Sequence, residues 1–175
     1  MRILVMAMST TLFMALPLHA EDQRAVSFVN DVMPVLTKSG CNAGVCHAKA
    51  GGGQNGFQLS LLGFEPQEDY EHLVKEDRGR RLFPAAPEHS LLLMKATSRM
   101  PHGGGVRVSA DSDNYKLLLN WIRQGAAYDA DSAPQLTSIE VQPARGTVQR
   151  NAEQQLKAVA KYADGSERNV TGLAL

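Results

Sequence analysis

Apolar positions change their spacing along this chain, and the change divides it. Phe28, Val32 and the Val35-Leu36 pair recur at steps of four, three and four, which places them on one helical face. Pro34 should bend that helix or mark a start within it. The segment runs directly into Gly40-Cys41. Phe57, Leu59 and Leu61 alternate and suggest a short extended segment. Pro66, with acids behind it and Tyr70, Leu73 and Val74 on one side, opens a second helix. Pro87 and Glu88 open a third, short one through Leu91, Leu92 and Met94. The clearest helix is "SDNYKLLLNWIRQGA", where Tyr115, Leu118, Leu119 and Ile122 keep the i, i+3, i+4, i+7 rule. Ser112 or Asp113 can cap its start and Gly125 suits its end, with Trp121 on the flank of its apolar face.

After Pro134 the period shortens. "LTSIEVQP" and "QLKAVAKYADGSERNVT" approach strict alternation, with Asp164-Gly165 as a turn signal between two runs. The pattern predicts a mainly α fold, a small helical domain, followed by a partial all-β segment. The expected divisions are a leader at 1–20, a helical domain at 21–128, a polar linker at 129–135 and the β segment at 136–175. That last segment is shorter than the roughly 100 residues of a β-sandwich, so the sequence is expected to stop inside a domain.

Composition adds three constraints. Aromatic residues make up 6% and glycines number 15, so the core should be small and something else should help fill the interior. Lys+Arg and Asp+Glu both total 18, and this neutrality argues against nucleic acid as a bulk electrostatic partner. Arg2, the apolar run Ile3 to Leu16 and the small residue Ala20 have the three parts of a secretory signal. The mature chain is then expected to begin near Glu21, without a membrane span, and to work in the periplasm or at the cell surface.

The two cysteines lie in "SGCNAGVCHAKAGGG". In an oxidising compartment Cys41 and Cys46 would pair unless something else claims them. The adjacent His47 offers that alternative. Cys-x-x-Cys-His attaches haem covalently in c-type cytochromes, with the histidine on the iron. Here four residues separate the cysteines instead of two, and Ala43 and Gly44 let the longer arc bulge outward. The Cys46-His47 end keeps its usual form. Met94, Met100, His72, His89 and His102 are the candidates for the other side of the iron. Met100 and His102 sit in the irregular loop "SRMPHGGG", the kind of segment that commonly supplies this ligand. Methionine there would raise the potential and histidine would lower it. Arg78, Arg80, Arg81 and Arg107 could meet haem propionates or could simply be solvated. Trp121 could pack on the haem edge or only between helices.

"FVNDVMPVLTKSGCNAGVCH", "GFQLSLLGF", "GRRLFPAAPEHSLLLMKAT", "PHGGGVR" and "YKLLLNWIRQGA" together resemble the planctomycete-type cytochrome c domain, over residues 26–127. "LTSIEVQPARGTVQRNAEQQLKAVAKYADGSERNVT" is similar to the opening half of a bacterial Ig-like domain of the second group, over 136–175. The resemblance implies a cytochrome c-like domain with one covalent haem c on Cys41 and Cys46, His47 as proximal ligand, and an Ig-like segment after it. It also implies that the "PHGGG" histidine is the recurring feature, which favours His102 over Met100 as the sixth ligand. A redox partner protein is implied but not identified by the sequence.

No acid–base pair or nucleophile constellation stands out, so chemistry on an organic substrate is not expected in residues 1–175; an enzyme domain served by this one would lie beyond Leu175. A disulfide-linked scaffold module is the alternative reading. A zinc site of Cys41, Cys46, His47 and His102 is the weakest, because neighbouring residues ligate one tetrahedral ion awkwardly.

Overall fold

The computed structural model describes residues 24–174. The leader expected at 1–20 lies outside the described residues. Four α-helices occur among the described residues: α1 (Met33–Lys38), α2 (Pro66–Tyr70), α3 (Leu91–Ala96) and α4 (Asp113–Arg123). Three strands follow: β1 (Leu136–Gln142), β2 (Lys157–Tyr162) and β3 (Glu167–Asn169).

The expectation of a mainly α fold is therefore wrong. The fold is a small mixed α and β one, with helices that are mostly a turn or two long and a three-stranded antiparallel sheet. Sequence punctuation explains the difference. Pro34 and Pro66 sit in the first turns of α1 and α2, where a missing N–H costs nothing, and so they fix starts. Phe28–Val32 winds as a wider π-type turn before α1, and Glu71–Lys75 does the same after α2. Pro87 opens only a 3₁₀ turn, Pro87–His89; extended backbone at Ser90 separates it from α3. The alternation at Phe57–Leu61 yields isolated bridges, Ala48 to Leu59 and Gln54 to Phe57, rather than a strand.

α4 forms where expected. The Ser112 side chain accepts the Tyr115 N–H at 3.2 Å, and Gly125 takes a left-handed φ of +94° past the end. Its buried face is Leu118, Trp121 and Ile122, so Trp121 lies at the centre of the stripe and not on its flank. Phe28 is fully buried against it, with ring centres 5.5 Å from Trp121, 5.2 Å from Tyr70 and 5.9 Å from Tyr128. Such contacts add about 0.5–1.5 kcal/mol each beyond burial of area. Trp121 Nε1 donates to the Ala127 carbonyl and Tyr70 Oη to that of Ala126, so the polar tips of the cluster are satisfied.

The segment expected as a linker is pinned. The Asp129 carboxylate accepts the N–H groups of Phe28 and Val29 at 2.9 and 3.3 Å, and Asn30 Nδ2 donates to the Pro134 carbonyl. Beyond it, β1 pairs with β2 and β2 with β3, with Ile139 opposite Ala160 and Val141 opposite Ala158. Asp164 and Gly165 make the turn before β3; Gly165 has φ +83° and the Asp164 carboxylate accepts the Ser166 N–H at 2.9 Å. Ala158, Ala160, Tyr162 and Val170 form a second small core. All of β1 is exposed, Ile139 and Val141 included.

A buried carboxylate joins the two parts. Asp31 has no exposed side-chain surface. It accepts two hydrogen bonds from Arg24, at 2.7 and 3.1 Å, one from the Ser27 N–H at 2.8 Å, and one from Arg168 of β3. Burial alone would raise its pKa. The two guanidinium groups and the Ser27 N–H outweigh burial and hold it below the ordinary value.

Candidate cofactor cavity

α1 delivers Cys41 through its C-terminal cap. Gly40 is left-handed at φ +72°, the Gly40 N–H bonds to the Thr37 carbonyl, and the Cys41 N–H reaches back to the Leu36 carbonyl, both at 2.9 Å. These two bonds are the pattern of a Schellman cap, and a residue in the place of Cys41 turns inward against the helix. Cys41 does pack on the main core. The chain then coils back: Cys46 N–H donates to the Ala43 carbonyl at 3.1 Å and His47 N–H to the Cys41 carbonyl at 2.9 Å. Ala43, Gly44 and Val45 face outward, with Val45 84% exposed.

Cys41 and Cys46 are both free thiols. Burial pushes the Cys41 thiol up to about 11, against the opposing pull of Arg107. Arg107 Nη2 lies 3.8 Å from Cys46 Sγ. The two thiols thus differ: Cys41 is held on the core side, while Cys46 sits beneath a cation.

His47 is fixed from behind. The Leu59 N–H donates to its carbonyl at 2.7 Å, and the facing bridge Gln54 to Phe57 brings the Phe57 carbonyl to 3.3 Å from Nδ1. With Nδ1–H donating to that carbonyl, Nε2 keeps its lone pair. Burial first, with His102 and Arg81 adding to it, lowers the His47 pKa below 6.5 in spite of the Phe57 carbonyl. The neutral form, with a free lone pair on Nε2, therefore prevails at neutral pH.

His102 repeats this arrangement from another direction. Its Nδ1 lies 3.0 Å from the Gly105 carbonyl, which leaves its Nε2 as an acceptor too. The His47 and His102 rings are 6.2 Å apart between centres and parallel within 6°. Both rings line a cavity of about 670 Å³. Cys41, Cys46, His47, His102 and Arg107 all line it. Met100 does not; its N–H is bonded to the Met94 carbonyl and the next turn of chain takes His102 to the wall.

The other candidates are placed as follows. His72 Nδ1–H donates to the Gln58 carbonyl, 2.9 Å away, and the ring lies near Glu76 and Glu68, away from the cavity wall. His89 is exposed. Arg78 is exposed, whereas Arg80 and Arg81 line the cavity and both pair with Asp77. Arg81 is buried, donates to the carbonyls of His72 and Gly56 and lies over the Phe57 ring, so it is neither solvated nor loose. Trp121 does not reach the cavity.

The wall carries Arg80, Arg81, Lys95 and Arg107 and no Asp or Glu. The remaining surface is largely apolar, from Leu36, Phe57, Leu73, Leu91, Leu92 and Ala96. A flat, largely apolar molecule with acidic groups suits such a wall. Among the described residues no three His, Cys, Asp or Glu side chains gather as a metal site, so the zinc arrangement of Cys41, Cys46, His47 and His102 is not assembled. No helix among the described residues is long and apolar enough to cross a membrane. Phe57 and Lys95 are parts of the site that the sequence did not single out. Phe57 acts through its carbonyl, and Lys95 reads as one more exposed helical cation.

Comparison with protein-family models, with curated proteins and with solved structures found no match to this chain.

Proposed function

We propose that residues 26–127 form an exported one-electron carrier, holding one covalent haem c in this cavity through Cys41 and Cys46. His47 and His102 are the side chains that would hold its iron. The observation that carries the reading is the pair of parallel imidazoles, 6.2 Å apart, on a wall that also holds both thiols. Two imidazole–metal bonds of about 2 Å each, plus about 1 Å from each nitrogen to its ring centre, sum to about 6 Å. The spacing thus matches that sum for imidazoles meeting edge to edge, in which case their planes are also parallel, and the rest of the cavity is left for a macrocycle. The resemblance of the quoted motifs to the planctomycete-type cytochrome c domain points the same way, and that of residues 136–175 to the start of a bacterial Ig-like domain accompanies it.

Each side chain has a separate task. Cys46 and Cys41 supply sulfur for two thioether links, one at the surface beneath Arg107 and one on the core side. His47 presents Nε2 while the Phe57 carbonyl holds its Nδ1 proton, and the Gly105 carbonyl does the same for His102. Leu36, Leu73 and Leu92 exclude water, and Arg107 offers a cation to a propionate. Bound there, the haem supplies one-electron cycling between Fe(II) and Fe(III), with a potential set by its ligands and burial. A redox partner protein outside the cytoplasm would exchange the electron.

The test is expression of the exported chain alongside a haem-attachment system. Haem that survives denaturation and acid–acetone extraction, and that is lost in Cys46→Ser, is the expected result. A folded, colourless protein with a Cys41–Cys46 disulfide would overturn the proposal. Replacing His102 and Met100 separately should change the iron spectrum only for His102.

A further inference from the structure

We infer that Lys95 is a positioning residue for His102, a latch that holds the glycine-rich loop where its imidazole faces His47. The inference rests on His102 being an axial ligand. His102 precedes three consecutive glycines, Gly103 to Gly105, a segment with little conformational preference of its own. A histidine on such a loop should wander, yet its ring is parallel to that of His47 within 6°.

The restraint comes from α3. The Met100 N–H reaches the Met94 carbonyl at 3.0 Å on the way into the loop. On the way out, the N–H groups of Arg107 and Val108 share the Ala96 carbonyl at 2.8 and 3.0 Å. Between these anchors Lys95 Nζ donates to the Pro101 carbonyl at 2.6 Å. Pro101 directly precedes His102, so this bond grips the peptide that carries the ligand. The Lys95 ammonium is committed to this carbonyl, and its side chain lines the cavity wall. The backbone anchors survive any substitution in α3 that keeps the helix; among the described residues, the Lys95 bond is the tie from α3 to the loop that a side chain supplies, beside the His102 ring's own bond to the Gly105 carbonyl within the loop.

The experiment uses the haem-loaded protein with Lys95→Met, Lys95→Gln and Lys95→Arg. Free imidazole is titrated into the ferric form as a competitor for the His102 position, and the low-spin fraction is read from the spectrum. Loss of a charge-assisted bond at a partly exposed site should tighten apparent imidazole binding roughly 5-fold and raise the high-spin fraction in the Met and Gln variants. Lys95→Arg should restore both. A general loss of stability would lower the melting temperature in all variants without separating Arg from Met. Imidazole affinity and spectrum within about 1.5-fold of the parent in Lys95→Met and Lys95→Gln would overturn the latch while leaving His102 as ligand. A His102→Ala protein spectrally identical to the parent would overturn ligation by His102, and the latch with it.

Discussion

Replacing Asp31 by Asn removes a charge that three donors from different parts of the chain address. The carboxylate is fully buried and receives Arg24 twice, the Ser27 N–H and Arg168. Breaking a deeply buried ion pair costs about 3–5 kcal/mol when the abandoned charge cannot reach water. Here the partners are partly open, Arg24 at 39% and Arg168 at 23% of their side-chain surface, so both can turn outward. Asn also keeps an oxygen for the Ser27 N–H. The expected loss is thus about 2–3 kcal/mol at pH 7. For a chain of this size that is roughly 5–10 °C in melting temperature. The same carboxylate titrates below 3.8 in the folded protein, because its donors outweigh burial. A lowered folded-state pKa stabilises above the unfolded value, and the benefit disappears as pH falls through the folded one. The parent and Asp31→Asn curves should therefore be furthest apart near neutrality and converge below about pH 4. Urea denaturation at a series of pH values measures this. A gap that stays constant down to pH 3, or that is below 0.5 kcal/mol at pH 7, would refute the argument.

Other substitutions probe the core and the histidine wall. Phe28→Ala empties the centre of the cluster of Tyr70, Trp121 and Tyr128 and should cost about 3–5 kcal/mol in a denaturant melt; under 1.5 would mean that the rings close over the gap. Gly53→Ala places a Cβ 2.5 Å from the Phe57 carbonyl oxygen at a residue with φ +64°, so it should destabilise by about 2 kcal/mol or more and displace the acceptor of His47 Nδ1. An unchanged melt and an unchanged His47 ring signal would contradict that geometry. In the protein without a bound cofactor the His47 ring should titrate below 6.5, because burial disfavours its cation, and its share of stability should be lost as pH falls; an NMR midpoint above 6.5 would show the ring to be open to water.

Features that depend on neighbours in sequence were the legible ones. The Ser112 cap, the α4 stripe and the Asp164-Gly165 turn are each set within a few residues. Helix extent was less legible. A periodic pattern shows where apolar side chains fall, but Ser90 and the π-type turns at Phe28–Val32 and Glu71–Lys75 interrupt the α geometry without disturbing that pattern. The alternation at Phe57–Leu61 did not mark one face of a strand: Phe57 lines the cavity, Leu59 is buried in the core and Leu61 is exposed, with isolated bridges in place of a paired strand. At the site, spacing singled out Cys41, Cys46 and His47, and the loop composition drew attention to His102. Its approach to His47 is a long-range fact, set by bonds between α3 and the loop. The carbonyls of Phe57, Gly105 and Pro101 carry no sequence signature at all, since every residue has one. Asp31 reads as a polar position beside an apolar stripe until Arg168 arrives from the far end of the chain.

The bond between Asp31 and Arg168 bears on how such a chain can be rebuilt by recombination. A crossover near residues 129–135 looks permissive from composition, as a place to exchange one trailing module for another. An incoming module without a cation at the position of Arg168 would leave Asp31 with Arg24 as its remaining guanidinium partner, and one whose first residues lacked Asp129 would uncap the turn at Phe28. Both defects fall on the element that leads to Cys41. The two segments are thus expected to be inherited as a matched pair, and a chimera joined at this seam should regain stability when Asp129 and Arg168 are grafted together with the donor module.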